Sequence, residues 1–259
     1  MLVTHFRKLL FFSSFFALSA LASSLYAQTN SSEAGPYGNP VPTSTAPIWA
    51  KLIVNGNTVT CYYARGTATP TAWLQFGTPQ TINFLNDPIL VGIYITAHNS
   101  GAISTGTIDN LSISPTPTYQ LKDQDIGNPV LMGSANCLSG IWTLSGSGAD
   151  IWGNSDQFNF QPWLVFGNCT IICRITSISS GNPWQKIGIM VRDGYNSGSD
   201  YALFCATYSQ GIDFQYRTSF NDNGDVVKYV APPAPGVSSG IAVGTGLIGT
   251  TEGPYPLHP

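Results

Sequence analysis

Glutamate is almost missing from this sequence: the 259 residues contain two, Glu33 and Glu252, one near each end. Hydrolysis by paired carboxylates needs two acidic side chains about 5 to 9 Å apart across the bond to be broken. No stretch carries closely spaced acids, and the aspartates lie mostly in turn-like segments apart from Asp109 and Asp213, so that chemistry is not expected. Histidine is equally scarce, with His5, His98 and His258 only. A Ser-His-Asp triad would have to use His98, and no nucleophile-elbow motif lies near it. None of Cys61, Cys137, Cys169, Cys173 and Cys205 forms a C-x-x-C pair, which removes a zinc site. Charged residues make up 9% of the chain, and Arg7-Lys8 is its one basic cluster. Without a basic patch the backbone of a nucleic acid cannot be neutralised, so no nucleic-acid partner is expected. No window sustains a helical period.

What is present reads as an exported β-protein. Arg7 and Lys8 precede an apolar, small-residue run from Leu9 to Leu25, and Leu25-Tyr26-Ala27 supplies a small residue for cleavage. That order is a secretory signal peptide, residues 1–27, too short for a membrane span, so no membrane insertion is expected after cleavage. The remaining chain has 8 basic and 13 acidic residues, a net charge of −5. Its polar side chains are mostly Ser, Thr and Asn, which with Gly suit strand faces and turns but leave edge strands few charges to block sideways pairing. The odd cysteine number leaves at least one thiol free or paired between chains. Cys169 and Cys173 share one face of a strand, about 13 Å apart, too far to bridge each other. Most of the cysteines read as small buried apolar residues.

Residues 28–45 form a Ser/Pro/Gly/Asn-rich leader, and residues 231–259 a Pro/Gly-rich tail. Between them short β runs alternate with turn residues. Residues 48–55 and 58–64 flank Gly56-Asn57, a two-residue hairpin signal. Further strands are expected at 72–76, 81–84, 89–97, 105–113, 140–145, 157–161, 169–178, 184–192, 201–207 and 212–217. Even spacing with Gly/Asn/Asp turns argues for an all-β antiparallel sandwich over residues 46–230, with 115–122 as a linker between blocks 46–114 and 123–230.

Gly146-Ser147-Gly148-Ala149-Asp150-Ile151-Trp152-Gly153, Asp156-Gln157-Phe158, Trp184 to Arg192, Tyr201-Ala202 and Phe214-Gln215-Tyr216-Arg217 together resemble a bacterial jelly-roll module of the concanavalin-A-like lectin/glucanase superfamily. Pro47 to Leu52, Gly56-Asn57-Thr58, Gly92 to Asn99 and Ile108 to Ser112 resemble the other half of the same module. In that module the block like 123–230 comes first, so the halves here stand in swapped order. The resemblance implies a jelly roll that either closes in cis as a circular permutant or exchanges half-modules between copies. The cis form is the expected one. The related glucanases draw their catalytic pair from a strand with closely spaced glutamates, which this chain lacks.

Binding is the better-supported chemistry. Trp184, Lys186, Gly188, Met190 and Arg192 fall on one face of an expected strand, with Ile187, Ile189 and Val191 on the other. On the next strand Asp213, Gln215 and Arg217 share a face opposite Ile212, Phe214 and Tyr216. Trp184, Lys186, Arg192, Gln215 and Arg217 are therefore the candidate ligand-binding residues: an aromatic, two cations and a planar amide and guanidinium around the shallow groove left by Gly188. Flat rings and planar groups of this kind match sugar faces and paired hydroxyls. The alternative is a solvated face whose aliphatic stems cover the core edge. Asp150 and Asp156, in a Gly/Ser-rich turn, are candidate calcium ligands or turn caps. The expected function is an exported, non-catalytic carbohydrate-binding or adhesive module, secreted or at the cell surface, with a polysaccharide or glycan as partner. A self-assembling extracellular filament subunit comes second and a glucanase-type hydrolase third.

Overall fold

The computed structural model describes residues 47–230 except residue 85, with the backbone alone at 225–230. The signal, leader and tail expectations lie outside the described residues. Sixteen strands follow in chain order: β1 (Ile48–Asn55), β2 (Thr58–Arg65), β3 (Leu74–Gln75), β4 (Gln80–Thr81), β5 (Ile89–Thr96), β6 (Asn99–Ser114), β7 (Tyr119–Gln120), β8 (Gln124–Ile126), β9 (Ser134–Leu138), β10 (Ile141–Gly148), β11 (Phe158–Val165), β12 (Cys169–Ile178), β13 (Lys186–Arg192), β14 (Tyr201–Thr207), β15 (Ile212–Arg217) and β16 (Asp225–Val230). They build two packed antiparallel sheets, an all-β sandwich. The first runs β3-β2-β1-β12-β6-β10-β9 with β4 also on β2; the second runs β16-β15-β14-β13-β5-β11-β7 with β8 also on β11.

Alternation drives the packing. In β1, Ile48, Ala50, Leu52 and Val54 point inward, and in β12 Cys169, Ile171, Cys173 and Ile175 do the same. They meet Val91, Ile93 and Ile95 of β5, Ile187, Ile189 and Val191 of β13, and Ala202, Phe204 and Ala206 of β14. Each such side chain taken out of water contributes about 1.5–3 kcal/mol. β5 is buried along its whole length because its other face, Leu90, Tyr94 and Thr96, is covered too. Such a strand reads as a continuous apolar run.

The two sequence blocks interlock. β5 lies between β11 and β13, β6 lies between β10 and β12, and β1 lies against β12. Each sheet therefore takes interior strands from both blocks. The hairpin at Gly56-Asn57 forms with Asn55 opposite Thr58, and Gly56 supplies the positive φ of 56°. Elsewhere the expected limits move. The run 72–76 shrinks to β3, and 105–113 extends into the sixteen-residue β6. The segment 115–122 carries β7, which pairs with Trp163 and Leu164. Pro162 falls between the β7 and β8 pairings, where no ladder bond is asked of its missing N–H.

Gly92 marks the tightest approach of β5 to β11. A Cβ there would lie 2.1 Å from the Gln161 carbonyl oxygen and 2.8 Å from the Phe160 ring. Gly92→Ala is expected to destabilise the protein by about 1–3 kcal/mol or more, read from urea midpoints, because neither backbone nor ring has room to move. An unchanged midpoint would mean that β5 is not held this closely.

Candidate functional site

The outer face of the second sheet carries most of the residues singled out by the sequence. Cross-strand register arranges them in four rows: Thr96, Lys186 and Thr207; Tyr94, Gly188, Cys205 and Asp213; Gly92, Met190, Leu203 and Gln215; Leu90, Arg192, Tyr201 and Arg217. The expectation of an open groove there is corrected by the structure. Lys186, Arg192 and Arg217 are fully buried, and Gln215 nearly so. Trp184 is not on the strand: it sits half-buried in the turn before β13, its backbone N–H donated to Asn182 Oδ1 at 2.8 Å. Nor does Gly188 leave a groove, since a Cβ there would meet the Phe204 carbonyl oxygen at 1.9 Å.

The cover is the loop between β10 and β11, residues 149–157. The Gln157 N–H donates to the Asp150 carbonyl at 2.7 Å and closes the loop on itself. Ile151 of this loop joins Tyr94, Phe158, Met190 and Leu203 in a second apolar cluster. Two carboxylates pin it down. Asp150 Oδ1 accepts from Lys186 Nζ at 2.6 Å, and its Oδ2 lies 3.3 Å from His98 Nε2. Asp156 accepts from Arg192 at 2.7 Å and from Arg217 at 2.6 and 2.9 Å. The two guanidiniums carry more positive charge than one carboxylate balances, and backbone carbonyls accept their remaining N–H groups: Gly194 and Asn196 for Arg192, Gly153, Ser199 and Asp222 for Arg217.

Burial alone would raise the Asp150 pKa, but Lys186 and His98 outweigh it and hold the carboxyl well below the usual range. Burial likewise opposes the charge on Lys186, and Asp150 overcomes it, leaving the ammonium pKa raised. Asp150 and Asp156 are therefore counter-ions to separate cations. They do not fit calcium, because a divalent ion at either would be set beside buried ammonium or guanidinium groups. Among the described residues no three His, Cys, Asp or Glu side chains gather as a metal site. Beside this clamp, Asp213 is buried with Oδ1 lacking a hydrogen-bond partner, as is Gln215 Oε1. Burial pushes the Asp213 carboxyl up to about 7 against the smaller pull of Lys186.

A second place is open. β10 begins at Ile141, with Trp142 opposite Ile108, so beyond Ile108 the strand β6 is paired through β12 alone. The gap is a notch of about 640 Å³, within the about 300–1,000 Å³ of small-molecule sites. Leu111, Ile113, Trp142 and Trp163 give it apolar walls, the two indoles 5.4 Å apart and nearly perpendicular. Asp109, Asn110, Ser112, Thr116 and Ser139 supply polar groups. Arg174 engages both Asp109 oxygens, at 2.7 and 2.5 Å, and Asn110 Nδ2 donates to Oδ1 at 2.9 Å. The Arg174 hydrogen bond, set against partial burial, holds the Asp109 carboxyl below its ordinary value. The sequence flagged Asp109 as an acid within a strand but not the tryptophans, whose alternation reads as plain core.

Removing the pin tests the clamp. Asp156→Ala strands two buried guanidiniums and is expected to cost about 3–5 kcal/mol by chemical denaturation, whereas an exposed calcium ligand would cost under about 0.5 kcal/mol. Asp213 tests the linkage. Its folded pKa lies above the value of 3.8 expected unfolded, so its contribution is complete below pH 4 and is lost as pH rises toward 7. Asp213→Asn should leave stability near pH 4 unchanged and raise it at pH 8 by more than about 1 kcal/mol. Equal shifts at both values would remove the carboxyl from this role.

No family model, no curated protein and no solved structure matches the chain.

Proposed function

We propose that this chain is an exported, non-catalytic carbohydrate-binding module, a jelly roll with its halves in permuted order, that takes a short neutral glycan in the notch beside Trp142 and Trp163. The observation that carries the reading is the composition of that notch: two indoles among one locked carboxylate, one amide and several hydroxyls. Indole carbons pack on the C–H faces of a sugar ring, and amide, hydroxyl and carboxylate oxygens exchange hydrogen bonds with its hydroxyls. Charge favours a neutral ligand. Asp109 is the one charged side chain lining the notch and is matched by Arg174, so an acidic sugar would gain no free cation there.

The same composition supports a binding rather than a hydrolytic role. Asp109 is the sole acid of the lining, and paired-carboxylate hydrolysis needs a second one on the far side of the bond. The two glutamates, Glu33 and Glu252, lie outside the described residues. The signal-like start of the chain, with its low charge and abundant Ser, Thr and Asn, supports export.

A glycan array followed by titration tests the reading. Neutral oligosaccharides are expected to bind and to shift tryptophan emission, with no reducing sugar released. Ser112→Arg and Thr116→Arg, both at exposed positions, should lower affinity at least tenfold while changing stability by under about 0.5 kcal/mol. Binding that survives both substitutions, or an array with no neutral glycan bound, would sink it.

A further inference from the structure

The edges of the two sheets are not alike. Most are kept short or charged, the usual ways of preventing a strand from recruiting a neighbour. β3, β4 and β7 are two residues long; β8 has three, one of them Asp125; β16 includes Asp225 and Lys228 in its sequence. β9 has none of these protections. It closes the first sheet with five residues, Ser134-Ala135-Asn136-Cys137-Leu138, bonded to β10 on one side and to no described strand on the other. It holds no proline, and no charged residue occurs from Ile126 to Ala149.

The surroundings of this edge are apolar. Met132 is 85% exposed just before β9, and Leu138 is 81% exposed at its end, opposite Ile141 across the turn at Ser139-Gly140. A lone surface leucine needs no explanation. An unprotected strand edge with such side chains at both ends does.

We infer that β9 is a homotypic interface, on which a second copy of this chain pairs its own β9 antiparallel about a two-fold axis. The charge-free run at this edge admits a second copy as the occupant. The chain beyond its signal segment carries a net charge of −5, so two copies repel over most of their surfaces. Residues 126–149 carry no charge, and the acid beside the start of β9, Asp125, which accepts from the Gly133 N–H, comes to the uncharged Leu138 end of the other copy and not opposite its own twin. Antiparallel self-pairing is closed by its symmetry and ends at a dimer. The register that uses the whole strand centres on Asn136: Ser134 faces Leu138 of the other copy, Ala135 faces Cys137, and Asn136 faces itself. The first sheets then continue across the junction. Because Ser139, Gly140 and Ile141 also line the notch, each dimer carries two notches fixed relative to one another, independently of what they bind.

Cys137 is exposed and the other four cysteines are buried, so it reports this register. In Ala135→Cys the introduced sulfur faces Cys137 of the other copy, at a cross-strand Cα separation of about 4.5–5.5 Å that a disulfide spans. Oxidised glutathione would convert each pair of thiols to one disulfide and itself be reduced to two molecules of glutathione. Light scattering across a concentration series should show the mass of the unsubstituted chain doubling. The Ala135→Cys variant should form a covalent dimer that is absent when Cys137→Ser is added. Asn136→Lys, at an exposed position on the axis, should keep the unfolding midpoint and abolish the dimer by setting two ammonium groups face to face. A monomer at every concentration would overturn the inference. So would a dimer that survives Asn136→Lys, or an Ala135→Cys variant that does not cross-link.

Discussion

One carboxylate, Asp156, holds together parts of the chain that the sheets alone leave separate. It lies in the loop between β10 and β11, yet its oxygens are taken by Arg192 of β13 and Arg217 of β15. With Asp150 on Lys186 at the other end of the loop, the connection is fastened over the outer face of the second sheet. Ile151 can then fill that face, and Tyr94, Met190 and Leu203 are dry on a side that would otherwise meet water. A buried ion pair adds little to stability compared with apolar residues of the same shape. Its effect here is positional: a nine-residue loop that could lie in many ways is held in one.

Much of the architecture was legible from alternation. Ile187, Ile189 and Val191 are core, the Gly56-Asn57 hairpin forms, and the all-β sandwich follows from evenly spaced short strands. The candidate site was harder to read because a polar residue facing away from the core has two fates. Lys186, Arg192 and Arg217 alternate with apolar residues as a solvated face would, and local pattern cannot show that a loop some thirty to sixty residues earlier brings carboxylates to them. Trp142 poses the reverse difficulty. It alternates like a core residue and is one, yet β10 stops one residue beyond it and leaves its ring at the wall of a notch. A strand end is a property of the hairpin turn at Ser139-Gly140, not of the pattern along the strand. β9 was missed because Ser, Ala and Asn give it no strong alternation.

The two faces of the molecule thus divide the work. The side of the second sheet that resembled a binding face is spent on closing the fold, with its cations held by Asp150, Asp156 and backbone carbonyls and its glycines filled by backbone. The open features gather at the far edge of the first sheet, where the β9–β10 hairpin ends beside β6 and polarity comes from hydroxyls and amides. Low charge links these facts. A surface with few ions leaves a strand edge without the lysines that would guard it.

The interlocking of the two blocks also sets an order in time. Ile93 of β5 is made early, but the residues it pairs with, Gln161 and Ile189, emerge only after most of the chain. Until then a strand apolar on both faces has no place to go, and β1 waits similarly for β12. Native contacts so distant along the chain slow folding, and the unfinished half is prone to aggregate while it waits. A chain organised in this way can close neither sheet until both blocks are available.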